Sequence, residues 1–310
     1  MPLFTDAQRA EIGTLYKQRG REHAMMHALD YYGPNMKAIV ARLEQEMKQS
    51  LKLSGVEKQI VVHCWRGGMR SGVVCWMLEL FGYNVVKLEG GYKRYRGVVL
   101  EQLEKEYPIR IVGGRTGAAK TSVLHALQHL GEQTIDLEQL AHHMGSAFGG
   151  ISHTEKPSQE QFENDLATQL QSYVNEKNIW VEDESHRIGS VNIPNKLWSQ
   201  MREATVYYLD VPFELRLQNL VETYGKLPLP ALVEATVRIR KKLGGLQMQQ
   251  VIDHLDTKNI PAAFDILLQY YDKAYDEATS KRKQGTIVKI STDTIDPEHN
   301  ARLILQATNQ

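Results

Sequence analysis

Cysteine is scarce: 310 residues hold only Cys64 and Cys75, and no Cys-x-x-Cys pair occurs. That excludes a disulfide framework and a cysteine-based structural zinc site, and it fits a reducing, cytosolic compartment. No apolar run is long enough to span a bilayer. The start, MPLFTDAQRAEIG, has neither the basic residues nor the apolar core of a secretory signal. Net charge is lacking too, with 37 basic side chains matched by 37 acidic ones. Nucleic acid can therefore be held only by a local basic cluster. Internal repeats and low-complexity tracts are also missing. The composition is that of a globular protein, 42% hydrophobic and 24% charged. The length suits two domains, each with its own core.

Residues 1–58 read as mostly helical, with Ile39, Leu43, Met47 and Leu51 on one face. QIVVHC, residues 59–64, predicts a buried central strand ending at Cys64. SGVVCWMLELFG predicts a helix that stops at Gly82, and NVVKLEGG a second strand. Together, residues 59–91 form a strand–loop–helix–strand unit of a parallel α/β sheet. The charged segment EKEYPIR marks a junction, giving domains at 1–105 and 106–310. IRIVGG then opens a second strand–loop–helix unit. TIDLE, NIWVEDE and ATVYYLD add three strands alternating with helices, hence a second parallel sheet. Residues 230–283 read as helical and rich in Lys, Arg and Tyr; GTIVKIST is a late strand before a closing helix.

The first chemical motif is His63-Cys64-Trp65-Arg66-Gly67-Gly68-Met69-Arg70-Ser71. A cysteine at a strand end, followed by glycines and a helix start, sits where backbone amides converge and the helix dipole is positive. That field favours thiolate at Cys64. Gly67 and Gly68 let the loop curl, and Arg70 offers a fork of donors to an oxyanion, so the expected catalytic set is Cys64, Arg66, Gly67, Gly68 and Arg70. A buried structural cysteine is the plainer reading, and it suits Cys75 inside VVCWML better than Cys64.

The second motif runs from Gly114 through Thr116, Gly117, Ala119 and Lys120 to Thr121, between a strand and a helix. Such a loop cradles phosphates on its amides, Lys120 reaches their terminal oxygens, and Thr121 is placed for a magnesium ion. Ala119 stands where the Walker A pattern has glycine, and its methyl group is expected to crowd bound phosphates. Past the strand NIWVEDE, Asp183 and Glu184 are candidates for magnesium and Arg187 for an anion, against the alternative of a solvated acidic loop. No metal-ligand set is assigned, because the adjacent His142 and His143 diverge on a helix. Arg238, Arg240, Lys241 and Lys242, with Lys281, Arg282 and Lys283, form a basic stripe that either binds RNA or is a solvated helix face.

The string HC-x-x-G-x-x-R-S fits both cysteine phosphatases and rhodanese-type sulfurtransferases, and Gly90-Gly91 after the next strand resembles the rhodanese pattern. GTLYKQRG, HCWRGGMRSG, LEGGYKRYR, the phosphate loop, IDLEQLAHHMGSAFG, WVEDESHRIG and DVPFELRLQNL occur in an order that resembles the tRNA 2-selenouridine synthase family. The resemblance implies a rhodanese-like domain, here incomplete at its N-terminus, followed by a P-loop NTPase-like parallel-sheet domain with a helical C-terminal region. It implies replacement of sulfur by selenium in wobble 2-thiouridine, with selenophosphate and geranyl diphosphate as substrates. The P-loop would take the diphosphate, and tRNA would be the macromolecular partner. Other readings are a P-loop kinase or NTPase with a regulatory cysteine loop, and a non-catalytic tRNA-binding remnant. Two strands make a marginal sheet, so the first half is expected either to pack loosely or to take strands from another chain.

Overall fold

The computed structural model describes residues 3–54, 59–143, 156–174, 176–280 and 285–308. Two compact units emerge, Met1–Val98 and Val99–Gln310.

The first unit opens with α1 (Asp6–Arg19), started by a capping box in which Thr5 and Gln8 satisfy each other's backbone amides. Next come α2 (Arg21–Ser54), β1 (Ile60–Val62), α3 (Met69–Leu80) and β2 (Val85–Lys87). Strands β1 and β2 pair in parallel, Ile60 opposite Val85 and Val62 opposite Lys87. Phe4, Tyr32, Ile39, Val40, Met77 and Leu78 form the core, against which Ile60 and Val62 pack. The sequence predicts a strand covered on both faces. Instead Val61, between those two, is 60% exposed. Side chains alternate across a strand, so the helices of this unit cover one face only. The division between units falls inside α4 (Gly91–Leu103).

In the second unit the order is β3 (Ile109–Gly114), α5 (Lys120–His129), β4 (Gln133–Ile135), α6 (Leu137–Leu140), α7 (Gln159–Gln171) and β5 (Ile179–Glu182). A hairpin of β6 (Arg187–Ile188) and β7 (Val191–Asn192) follows, then α8 (Asn195–Glu203), β8 (Thr205–Asp210) and α9 (Phe213–Tyr224). Four helices come next: α10 (Leu229–Arg238), α11 (Arg240–Leu243), α12 (Gly245–Asp256) and α13 (Ile260–Ser280). The last elements are β9 (Ile287–Ser291) and α14 (Pro297–Thr308).

Five strands form one parallel sheet in the order β4-β5-β3-β8-β9. Parallel sheets are buried on both faces, and β5 is buried at all four positions. Val112, Leu124, Leu127, Trp180, Leu209 and Ile304 fill one core cluster. Leu220, Leu232, Val251, Leu255, Phe264 and Leu268 fill another, formed among α9, α10, α12 and α13. From β3 the chain fills β4 and β5 on one side, then β8 and β9 on the other. The carboxyl end of β3 is thus the switch point of the sheet, where ligands bind in open α/β folds.

Candidate active sites

Each unit holds one site. In the first, Cys64 follows β1 and is half-buried. The Gly68 amide, at the start of α3, donates to Cys64 Sγ at 3.2 Å. Ser71 Oγ lies 3.3 Å from the same sulfur. Burial pushes the thiol up, but the Ser71 hydroxyl and the amides of Ser71, Arg66 and Gly68 together outweigh it. They bring the pKa from 9.0 down to about 7. Cys75 is the opposite case, buried in α3 and pushed up by that burial.

Gly90-Gly91 has a steric reason. The Tyr92 amide donates to Cys64 O and that of Lys93 to Trp65 O, both at 2.9 Å. Backbone is thereby laid directly on the cysteine loop. A Cβ on Gly91, whose φ is +60°, would fall on Cys64 O and Gly67 N. Cys64, Arg66, Gly68 and Arg70 line one cavity of about 850 Å³ within this unit, whose walls include Phe4, Ile12 and Val73. Both arginines are exposed.

In the second unit the loop after Gly114 turns into α5 at Lys120. Gly117 has φ +85°, and a Cβ there would meet Arg216 O at 2.7 Å. The loop's carbonyls are held from α9: Arg216 Nη1 donates to Thr116 O at 3.1 Å, and Asn219 Nδ2 to Gly117 O at 2.8 Å. Buried Arg216 is itself clamped by both oxygens of Asp272 on α13, each at 2.8 Å. With the carbonyls so engaged, the amides are left for an anion. Ala119 has φ +57° and ψ +32°, the left-handed conformation that glycine adopts without strain.

Thr116, Gly117, Ala119, Lys120 and Thr121 line a cavity of about 660 Å³ with Glu138, Glu182, Asp183 and Glu184. Tyr208, Tyr224, Tyr271, Tyr275 and Leu220 give it an aromatic and apolar wall. Asp183 and Glu184 diverge in their bonding. The Tyr275 hydroxyl donates to Asp183 Oδ2 at 2.9 Å and accepts from the Gly114 amide at 3.2 Å. Burial, then the Asp183 charge, raises the Tyr275 phenol and keeps it a donor. Glu184 instead joins Glu138 and Glu182. Glu138 arrives from the first turn of α6, whose start is capped by Asp136 accepting from the Gln139 amide at 2.8 Å. Burial pushes all three glutamates up, and Lys120 pulls each of them down.

Arg187 is placed elsewhere. It is exposed in the β6–β7 hairpin, where its Nε donates to Gly189 O at 3.1 Å, and it is not among the cavity's lining residues. Arg238, Arg240, Lys241 and Lys242 are all exposed at the end of α10 and on α11, with Arg238 paired to Glu234. Lys281, Arg282 and Lys283 lie outside the described residues. Arg216, Asn219, Asp272, Tyr275 and Glu138 were not singled out by sequence. The first two sit in the string DVPFELRLQNL, which marked them only as part of a helix.

Residues 107–236 match the family model described as the tRNA 2-selenouridine synthase AAA domain. Among curated proteins, the chain is 32% identical to the tRNA 2-selenouridine synthase of Hydrogenovibrio crunogenus, over 91% of this chain and 84% of that one. It is 31% identical to the Shewanella sediminis protein of the same name, over 93% and 85%. With the Aeromonas salmonicida protein, again of that name, it shares 36% identity over 82% and 71%.

Proposed function

Because the chain belongs to the tRNA 2-selenouridine synthase family, we propose that it replaces the sulfur of wobble 2-thiouridine in tRNA by selenium, with geranylation of that sulfur as the activating step. The observation that carries the reading is a pair of anion-binding loops in one chain. One holds the Cys64 thiol near 7. The other has its carbonyls tied back and opens on an aromatic and apolar cavity.

In the first step the thiocarbonyl sulfur attacks the carbon bearing the diphosphate in geranyl diphosphate. A carbon–sulfur bond forms, the carbon–oxygen bond breaks, and diphosphate leaves onto the loop amides. Lys120 neutralises the charge that develops there. The cavity wall of Leu220, Tyr224 and Tyr271 suits the hydrocarbon chain. In the second step selenium from selenophosphate, delivered at the Cys64 loop, attacks C2 of the base. The geranylated sulfur departs as the thiolate. Arg66 and Arg70, on the cavity of Cys64, suit the anionic selenium donor. A tRNA substrate puts this activity in the cytoplasm, and no helix among the described residues is long and apolar enough to cross a membrane.

A thermal-shift series with geranyl diphosphate, selenophosphate and ATP tests the ligand classes. The reading expects stabilisation by the first two. Stabilisation by ATP alone would favour a P-loop kinase or NTPase.

A further inference from the structure

We propose that Glu138, Glu182 and Glu184 form a binding site for a hard divalent cation of the magnesium and manganese class. The proposal goes beyond the selenation reading and does not rest on it. Each glutamate offers one carboxylate oxygen, and the three oxygens lie within 4.8 Å of one another. Oxygens on opposite sides of a bound ion are about 4.2 Å apart for magnesium and about 4.8 Å for calcium. The three side chains thus converge at coordinating distance from separate segments: α6, the end of β5 and the loop beyond it.

A second observation points to a ligand. Glu182 is only 2% exposed, and its Oε1 has no hydrogen-bond partner. Buried carboxylate oxygens are rarely left so, and a cation is one partner that satisfies them. The Thr121 hydroxyl bonds to the same carboxylate and adds a further oxygen beside the cluster. Among the charges acting on the three glutamates, Lys120 is the cation. One ammonium set against three carboxylates leaves room for a divalent ion. An all-oxygen donor set selects magnesium, manganese or calcium over zinc or copper. Asp183, next in sequence to two of the three, accepts from Tyr275 and does not belong to the set. The ion would sit on the cavity shared with the phosphate loop, where it would neutralise a bound diphosphate.

The test is a manganese titration of the full chain at constant pH, without diphosphate or tRNA. Free Mn²⁺ is followed by electron paramagnetic resonance, and Mg²⁺ is then added as competitor. The expected result is one submillimolar site that Mg²⁺ displaces. Affinity should fall at least tenfold in Glu138→Gln and in Glu184→Gln, both half-buried positions where the fold tolerates an amide. Circular dichroism confirms that each variant is folded. Absence of binding up to several millimolar, or binding that neither substitution weakens, overturns the proposal. Since no diphosphate is present, the outcome is separate from whether the phosphate loop takes a prenyl diphosphate.

Discussion

At the residue scale the two loops make opposite demands on one atom each. Cys64 is useful as a thiolate, and Ser71 and the α3 amides favour that form. The sign is direct: a thiol lowered to about 7 is mostly protonated below that pH and mostly thiolate above it. Alkylation by iodoacetamide should therefore rise with a midpoint near 7, and Ser71→Ala should move the midpoint up. An unmoved midpoint would show that the amides alone set it. Cys75, buried and raised, should stay unreactive in the native protein. Ala119 presents a backbone demand. Its departure from the Walker A pattern suggested crowding of phosphates, whereas the structure adds a left-handed residue bearing a Cβ. Such a residue costs about 1–2 kcal/mol, and glycine's looser unfolded chain takes back about 0.5–1. Ala119→Gly should thus stabilise the second unit by up to about 1 kcal/mol in urea unfolding. A clear loss of stability would contradict the strain argument.

At the scale of elements, the phosphate loop is a local feature with a distant scaffold. The loop itself was legible because strand, glycines, lysine and helix are contiguous from Ile109 to His129. Its support was not, because Arg216 and Asp272 lie roughly a hundred residues or more downstream and meet it only in the folded sheet. The same holds for Glu138, which reads as one more helical acid until Asp136 caps α6 and turns it to the cluster. Arg187 illustrates the reverse error. Gly189 and Ser190 make a tight turn, and the hairpin it closes carries Arg187 away from the cavity. The Arg216–Asp272 pair is nearly buried, with side-chain exposures of 3% and 17%. Removing one partner of such a pair costs about 3–5 kcal/mol. Asp272→Asn should lower stability toward that range and weaken diphosphate binding by calorimetry. Normal binding in the variant would mean that α13 does not hold the loop. For the exposed stripe on α10 and α11, charge reversal at Arg240 and Lys241 should weaken tRNA binding. It should also flatten the slope of log affinity against log salt, by about 0.9 for each phosphate no longer neutralised. An unchanged slope would leave these side chains as a solvated face.

At the scale of the whole molecule, the two units differ in how their sheets are covered. The five-stranded sheet has large, fully buried side chains such as Trp180, Ile111 and Leu124. Strands β1 and β2 show Val61 and Val86 at the surface, and Trp76, Leu80 and Phe81 are exposed on or just after α3. Amide exchange should therefore be slower in β3, β5 and β8 than in β1 and β2. The sequence made the parallel order of both sheets readable, because the apolar strands alternate with helices. Coverage was not readable, since an apolar run such as QIVVHC looks the same whether one face or two are packed. Function is divided between the units, selenium at Cys64 and diphosphate at Lys120, and this division is the central claim. It is tested most directly by mass spectrometry of tRNA nucleosides after thiolated tRNA is incubated with selenophosphate and geranyl diphosphate. The wild-type chain should yield 2-selenouridine. Cys64→Ser should stop at the S-geranyl nucleoside, and Lys120→Ala should leave 2-thiouridine unchanged. Full 2-selenouridine formation by Cys64→Ser, or geranylation by Lys120→Ala at the wild-type rate, would contradict the account.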